Sequence, residues 1–355
     1  MRIIRTILFI LNIILALGLL LTTLAGSVAP SQTVLPSMAA YGFFPLLAAN
    51  VIMVLIWALM KRWQAVLSIA VIALRWSMVG GYIQVGGTSH TPPIEEHPQM
   101  VTLMTHNVHQ FQGHDIHDQT SDSIAIEFIK LVRKQKPEIL CLQEFARCKK
   151  VNVVDSLAVL GYNHYYGART GSGDHPIGTA VFSQLPITYV NRIDKQKLLV
   201  ELLKEGQKFR VCCVHMDSYR FDDSDRVEIA RARHGEVDEK LRPTIGKVKE
   251  TILSHEKEWI DGLKAVVTEC TVPLIVAGDM NDIASSWLYC QMKKEMTDCF
   301  REKGSGLSIT YNGGFPQFRI DMVFHSEGLR TLSYRRLRND LSDHYPVLTT
   351  LELVP

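Results

Sequence analysis

Ser342–Val354 reads SDHYPVLTTLELV: a carboxylate and an imidazole stand side by side at the mouth of an apolar, β-branched run. Asp, Ser and Pro are ordinary turn formers, and a cap at Asp343 would explain the stretch by itself. The rest of the chain repeats the arrangement, which gives it weight.

MVTLMTHNV (Met100–Val108) reads as a strand with Asn107 near its end, and EILCLQE closes on Glu144. KLLVELLKEGQKFRVCCVHM (Lys197–Met216) reads as a hairpin turning at KEGQ, with His215 at its close. VPLIVAGDMND (Val272–Asp282) runs into Asp279 and Asn281, FRIDMVFHS carries Asp321, and Asp343 and His344 open the last strand. A helix is expected over Ser121–Gln135, its face made by Ile124, Phe128 and Leu131, with Pro137 just past its end. The charged stretch from Asp222 to Ala265 is helical in pattern, with a break expected at Pro243. Strands outnumber helices and come in hairpins. That favours an α/β sandwich of two sheets with outer helices over a parallel doubly wound sheet.

Each of these polar residues alone is explained by a turn or a satisfied hydrogen bond. Together they place carboxylates, imidazoles and carboxamides at the tips of apolar strands, where a sandwich can gather them. Glu144, Asp343 and the Asn107 amide are hard oxygen donors that suit Mg²⁺ or Mn²⁺ better than zinc. Asp279 could deprotonate a water, with Asn281 holding it or donating to a phosphoryl oxygen. An imidazole such as His344, paired with Asp321, can stay protonated and donate to a phosphate, and His215 can do so from another side.

THNVH, LQE, VHMDS, GDMND, RIDMVF and SDHYP occur in the order of the endonuclease/exonuclease/phosphatase superfamily, and the chain resembles it over roughly residues 101–353. The resemblance implies a four-layer α/β sandwich, two mostly antiparallel sheets flanked by helices. It also implies metal-assisted phosphoester hydrolysis. Position by position, it gives Asn107, Glu144 and Asp343 the metal, and His215 a phosphate contact. Asp279 and Asn281 take the water-activating role, and Asp321 and His344 form the carboxylate–imidazole couple. In VFSQLPI, Gln184 stands where many relatives have Arg, which puts phosphate binding there in doubt; Arg169, in GARTGSGDHPIG, is a candidate to compensate.

The N-terminal part has a different composition. Thr6–Met60 contains no Asp, Glu, Lys, Arg or His, and holds two apolar runs, Ile7–Ala25 and Tyr41–Met60. Each has about the ~20 residues that cross a bilayer. A third, Trp63–Val85, carries Arg75, a charge that is costly at mid-membrane depth. A cleavable secretory signal is the competing reading of the first run, and further apolar runs close behind it argue for retention. Arg2, Arg5, Lys61 and Arg62 belong on the cytoplasmic side, which leaves the chain beyond about Gln84 outside the cytoplasm. The expected organisation is a membrane anchor of about three helices over 1–85, a linker over 86–99 and a catalytic domain over 100–355.

With 38 basic and 36 acidic residues, the net charge of +2 argues for no bulk polyanion partner, and no aromatic-and-basic stripe for gripping nucleic acid stands out. The seven cysteines lack metal-ligand spacing; Cys141, Cys212 and Cys213 fall in apolar strands and read as buried hydrophobes. The expected partners are a lipid bilayer and a phosphoester substrate, either nucleic acid or a phospholipid headgroup. A nuclease and a sphingomyelinase-like phosphodiesterase use nearly the same residues, and a non-catalytic binding domain is the alternative outside enzymes.

Overall fold

A computed structural model describes residues 2–88, 90, 99–113, 121–170, 177–233, 235–236, 239, 241–313 and 317–354. The linker expected over 86–99 lies largely outside them, as do residues 171–176 and the Arg169 side chain. The helices are α1 (Arg2–Leu21), α2 (Leu35–Tyr41), α3 (Phe43–Leu59), α4 (Ala65–Val79), α5 (Ser121–Gln135), α6 (Val153–Val159), α7 (Asp223–Arg233), α8 (Leu241–Glu258), α9 (Lys264–Thr268), α10 (Trp287–Glu295) and α11 (Cys299–Lys303). The strands are β1 (Ile83–Gln84), β2 (Met100–Asn107), β3 (Ile139–Phe145), β4 (His164–Thr170), β5 (Ile177–Ser183), β6 (Ile187–Arg192), β7 (Lys197–Lys204), β8 (Gln207–His215), β9 (Leu274–Asp279), β10 (Thr297–Asp298), β11 (Gly306–Leu307), β12 (Asp321–His325), β13 (Leu329–Arg336) and β14 (Val347–Leu353). Two compact units result. One joins Met1–Tyr82 with Tyr219–Lys257 and Asp282–Gln291; the other holds Ile83–Ser218, Glu258–Asn281 and Met292–Pro355.

The second unit has two six-stranded sheets, ordered β13-β14-β2-β3-β5-β4 and β10-β12-β9-β8-β7-β6. Side chains alternate across each strand. Val101, Leu103, Ile139, Cys141 and Val181 of the first sheet meet Val200, Val211, Ile275, Ala277 and Val323 of the second in a shared core. The opposite face of the first sheet, with Met104, Leu140, Leu142 and Phe182, packs on Ile124, Phe128 and Val132 of α5 and on Val153 and Leu157 of α6. Each fully buried side chain of this size contributes about 1.5–3 kcal/mol. Cys141, Cys212 and Cys213 are buried, and none of the seven cysteines is in a disulfide.

Strand direction decides where the polar tips go. β2 and β3 are parallel, with Asn107 beside Gln143, so both strands finish at one end. β8 and β9 are also parallel, with His215 beside Asp279. β12 runs the other way and starts with Asp321 opposite Asp279, and β14 starts with Val347 opposite Thr105. Strand ends and strand starts therefore meet at one edge of the sandwich. A buried ion pair supports the outer sheet margin: Arg319 Nη1 and Nη2 donate to Asp298 Oδ1 and Oδ2 at 2.9 and 2.6 Å, both side chains fully buried. Arg319 also lies over the Phe300 ring, and Asp298 Oδ1 caps α11 at the Phe300 N–H.

The first unit has reversed polarity. Ser68, Asn12 and Asn50 are buried among α1, α3 and α4, with the Ser68 hydroxyl 2.6 Å from Asn12 Oδ1 and 2.9 Å from Asn50 Oδ1. Asn50 Nδ2 donates to the Leu46 and Leu15 carbonyls, and Asn12 Nδ2 to that of Gln64. Large apolar side chains face outward instead, among them Ile7, Ile14, Leu17, Ile52, Leu55, Ile69 and Trp76. Arg75 is buried, donates to the Thr22 carbonyl and lies over the Phe43 ring. By length and composition, Arg2–Gly26 is able to cross a bilayer; α2 and α3 pass only as a pair bent by 66°, and Ala65–Val79 is shorter.

The remaining segments of this unit dock at one end of its helices. Glu256 accepts from the Ser31 N–H and hydroxyl at 2.6 and 2.8 Å, and Gln291 donates to the Gly26 carbonyl. Tyr41 donates to Asp282 at 2.7 Å and touches the Tyr219 hydroxyl, while His255 Nδ1 lies 3.3 Å from the same carboxylate. The helical break expected at Pro243 falls before it: α8 starts at Leu241, and Pro243 sits in the first turn, where its missing N–H has no partner to lose.

Candidate active site

Asn107 is buried, and its Nδ2 donates to Glu144 Oε1 and to Asp279 Oδ2, both at 3.1 Å. This one amide joins the tips of the two sheets. Glu144 is half-exposed and held at φ +49°, where the β3–β5 register slips between Leu142 and Phe145. A bulge of this kind turns a side chain out of its strand's alternation and toward a cleft. His215 Nε2 lies 3.9 Å from both Glu144 Oε1 and Asp279 Oδ2.

Gly278 precedes Asp279 at φ +152°, and a Cβ there would lie 1.9 Å from the Val214 carbonyl oxygen. Only glycine fits so close to a neighbouring backbone. Asp279 Oδ1 accepts from the Asn281 N–H at 2.8 Å, and Asn281, at φ +46°, donates to the Met216 carbonyl at 2.9 Å. Glu144 and Asn281 thus both occupy left-handed backbone, at a cost on the order of 1 kcal/mol each.

His344 Nδ1 lies 2.9 Å from Asp321 Oδ2, and its Nε2 lies 3.8 Å from Asp279 Oδ2. Burial lowers its proton affinity, but Asp321 and Asp279 outweigh burial, and the imidazole is held well above its usual range. Burial, with Asp321, pushes the Asp279 carboxyl up; His344, His215 and the Asn107 amide oppose this without reversing it. Asp279 is therefore a stronger base than a solvated aspartate, next to a group that keeps its proton. Asp343 sits at the rim, its Oδ1 3.5 Å from His109 Nδ1 and 3.2 Å from the Ser342 hydroxyl, which donates to the Asn107 carbonyl.

All eight residues singled out from the sequence lie in one unit at one end of its sheets. Gln184 does not: it donates to the Leu160 carbonyl beside Ser183, which pairs with Ile139 at the opposite end of β3 from Glu144. Its departure from the usual Arg leaves the site untouched. Four neighbours were not singled out. His109 reaches Asp343 two residues after Asn107, a signal already present in THNVH. His106 Nε2 faces the His344 carbonyl at 3.2 Å, and burial pushes this imidazole down to about 4, so it stays neutral. The Thr310 hydroxyl accepts from the Asp321 N–H at 3.0 Å, and the Tyr311 ring packs on His344 at 5.1 Å; nothing in SITYNGG marked either.

One cluster among the described residues and, separately, the carboxylates of Glu144 and Asp343 are candidates to hold a divalent cation. Asp279, Asp321 and His344 offer ligand atoms within 4.8 Å of one another, and Asp321 Oδ1 has no hydrogen-bond partner among the described residues. A protonated His344 already places a cation between those two carboxylates, however. Glu144 and Asp343 face imidazoles only at longer range, 3.9 Å to His215 and 3.5 Å to His109, and are partly open to solvent, so their oxygens fit Mg²⁺ or Mn²⁺ better.

A family profile, Endonuclease/Exonuclease/phosphatase family, matches residues 104–344. The chain belongs to the endonuclease/exonuclease/phosphatase family. A second profile, a domain of unknown function (DUF8431), matches residues 5–82, and no curated protein matches the chain. Among solved structures of the family's fold, the human Nocturnin catalytic domain is 15% identical with a TM-score of 0.52, covering 74% of this chain and 100% of its own. A family protein from Beutenbergia cavernae is 16% identical with a TM-score of 0.49, covering 72% of each chain. The Nocturnin likeness shows the fold alone. Within the family, the chain is a hydrolase of phosphoester bonds, of nuclease, phosphodiesterase or phosphatase type.

Proposed function

We propose that the chain is a membrane-embedded phosphodiesterase that hydrolyses its substrate by in-line attack of a water assisted by a divalent metal. The observation that carries the catalytic part is the geometry of Asp279, which lies beside Asn281 and within 4 Å of two imidazoles. Asp279 takes the proton of the attacking water, and Asn281 orients that water. His344, protonated and backed by Asp321, donates to the phosphoryl oxygens as charge builds there, and His215 does so from the opposite wall. Glu144 and Asp343 would hold Mg²⁺ or Mn²⁺, which supplies polarisation of a phosphoryl oxygen and stabilises the leaving oxygen. Asn107 keeps Glu144 and Asp279 in register.

Bis-p-nitrophenyl phosphate tests this directly. EDTA should stop its hydrolysis, and added Mg²⁺ should restore it. Glu144→Gln should lose most turnover and recover poorly with excess Mg²⁺, at an unchanged melting temperature. Turnover indifferent to EDTA, or a fully active Glu144→Gln enzyme, would remove the metal from the reading.

The membrane part is supported by the reversed polarity of the helical unit. Apolar side chains outside and a hydrogen-bonded Asn12–Ser68–Asn50 core inside suit lipid as solvent, where polar groups find partners only between helices. The Arg75 guanidinium is buried against a helix-end carbonyl, which lessens its cost. The Phe9 ring meets those of Trp57 and Trp63, so the basic flanks Arg2, Arg5, Lys61 and Arg62 share one end of the bundle. Ser31, Tyr41 and Gly26, which hold the Tyr219–Lys257 and Asp282–Gln291 segments, share the other. The positive-inside rule then puts those segments outside the cytoplasm. A reporter active only outside the cytoplasm should work when fused after Pro355 and stay silent after Arg62; the reverse pattern would overturn the orientation.

A further inference from the structure

Apart from the site just described, the second unit has a cavity of about 500 Å³ beside the edge strand β13. Lys134 and Gln135 of α5, Ser308, and the run Arg335, Arg336 and Arg338 are among its walls. No carboxylate lines it, and among the described residues none of its four cations makes an ion pair. Elsewhere in this unit some basic side chains are matched, as Lys204 is to Glu138 and Arg330 to Glu352.

The guanidiniums are nonetheless positioned. Arg335 Nη2 donates to Gln135 Oε1 at 3.0 Å, and its Nε is buried with no partner among the described residues. Arg336 donates to the Ile309 carbonyl and lies over the Tyr345 ring. Burial and the adjacent Arg338 charge both lower the Arg336 proton affinity, as expected for like charges crowded without a counter-ion. Holding these cations together unpaired is unfavourable unless an anion joins them, and arginine forks match phosphate oxygens.

Two segments of the cavity wall run on in sequence to residues of the catalytic site, while Lys134 and Gln135, just ahead of β3, mark the cavity's far end. Ser308 is followed by Thr310 and Tyr311, which hold Asp321 and pack on His344. Arg335–Asn339 is followed by Ser342, Asp343 and His344. The catalytic site has its own donors for the scissile phosphate, so further cations on segments that run on in sequence to it call for another anion on the same ligand.

We propose that this cleft binds a further phosphate of an extended substrate, a single-stranded nucleic acid, whose scissile phosphate faces His344. The proposal rests on the phosphodiesterase reading above and names its substrate class. A phospholipid headgroup with one phosphate would leave the cleft without a ligand. A concave, amide- and serine-lined cleft also differs from the flat basic face that suits a bilayer surface.

Binding can be read apart from catalysis, using fluorescence anisotropy of a fluorescein-labelled single-stranded DNA with the full-length chain carrying Glu144→Gln. Adding Lys134→Gln and Arg338→Gln, both exposed and outside the core, should weaken binding on the order of 10-fold at low salt. The slope of log affinity against log salt should fall by about 1.4, ~0.7 for each lost phosphate contact. A control losing the same charge on the other sheet side, Lys208→Gln with Lys264→Gln, should bind as the parent does. Equal loss in both double variants, or loss in neither, would overturn the proposal. So would unchanged DNA binding with weakened binding to phosphatidylglycerol vesicles, which would assign the cleft to a lipid surface. Because no hydrolysis is measured, a failed metal or turnover test leaves this result interpretable.

Discussion

Asp279→Asn should lower kcat by about 10²–10⁴-fold, the usual worth of a general base, with little change in KM. The amide keeps the shape of the carboxylate and its contact with the Asn281 N–H, and loses only basicity. The pH profile separates this from simple disruption. A base works only when deprotonated, so the rate falls as pH drops through its proton affinity. Burial raises that affinity in Asp279, and the acidic limb should lie above the ordinary aspartate range. The limb should vanish in Asp279→Asn and persist in His344→Ala, which loses about 10²–10³-fold through charge stabilisation instead. An Asp279→Asn enzyme that kept both rate and limb would transfer the role of base elsewhere, with Asp321 the next group to examine.

The second large effect is on stability. Arg319→Met should destabilise the sandwich by about 3–5 kcal/mol, because it leaves the Asp298 carboxylate buried without its cation. Both side chains are fully buried and the pair is bidentate. Urea unfolding of full-length protein measures the difference. Replacing both partners, with Asp298→Asn added, should recover part of the loss, since the asparagine oxygen still caps the Phe300 N–H without a stranded charge. A single variant within about 0.5 kcal/mol of the parent, the range of an ordinary surface change, would show that water or another group compensates the carboxylate.

Strand positions and their polar tips were legible in the sequence because burial on both faces gives apolar runs, and a run ends where the backbone must turn. GDMND and SDHYP are local signals of that kind. The left-handed backbone at Glu144 was not legible, since nothing marks a glutamate for positive φ; Asn281 is of a type that adopts it readily, but an asparagine in a turn does so in only a minority of cases. Thr310 and Tyr311 sit in an irregular segment with no periodicity, and only the long return of the chain brings them to Asp321 and His344. The basic cleft was not read from the sequence, where no basic stripe stood out. YRRLRN holds three of its cations, but Lys134 comes from a helix some two hundred positions earlier, and net charge averages such a cluster away. Composition also draws a boundary near Gln84, whereas packing allots Tyr219–Lys257 and Asp282–Gln291 to the helical unit. Their polar, mixed sequences resemble any catalytic-domain surface.

That last allotment bears on how the protein can be handled. Trimming away the apolar helices to obtain a soluble enzyme, starting near Gly86, would strip Glu256 of Ser31, Asp282 of Tyr41, and Ser285 of the Tyr82 hydroxyl and the Ala40 carbonyl. Asp282 is the residue after Asn281, so the frayed end would be one peptide bond from the catalytic turn. The shortened protein would carry every residue of the family signature and still lack the partners that hold the chain leaving it. Detergent or nanodisc preparations of the whole polypeptide are the material in which its chemistry should be measured.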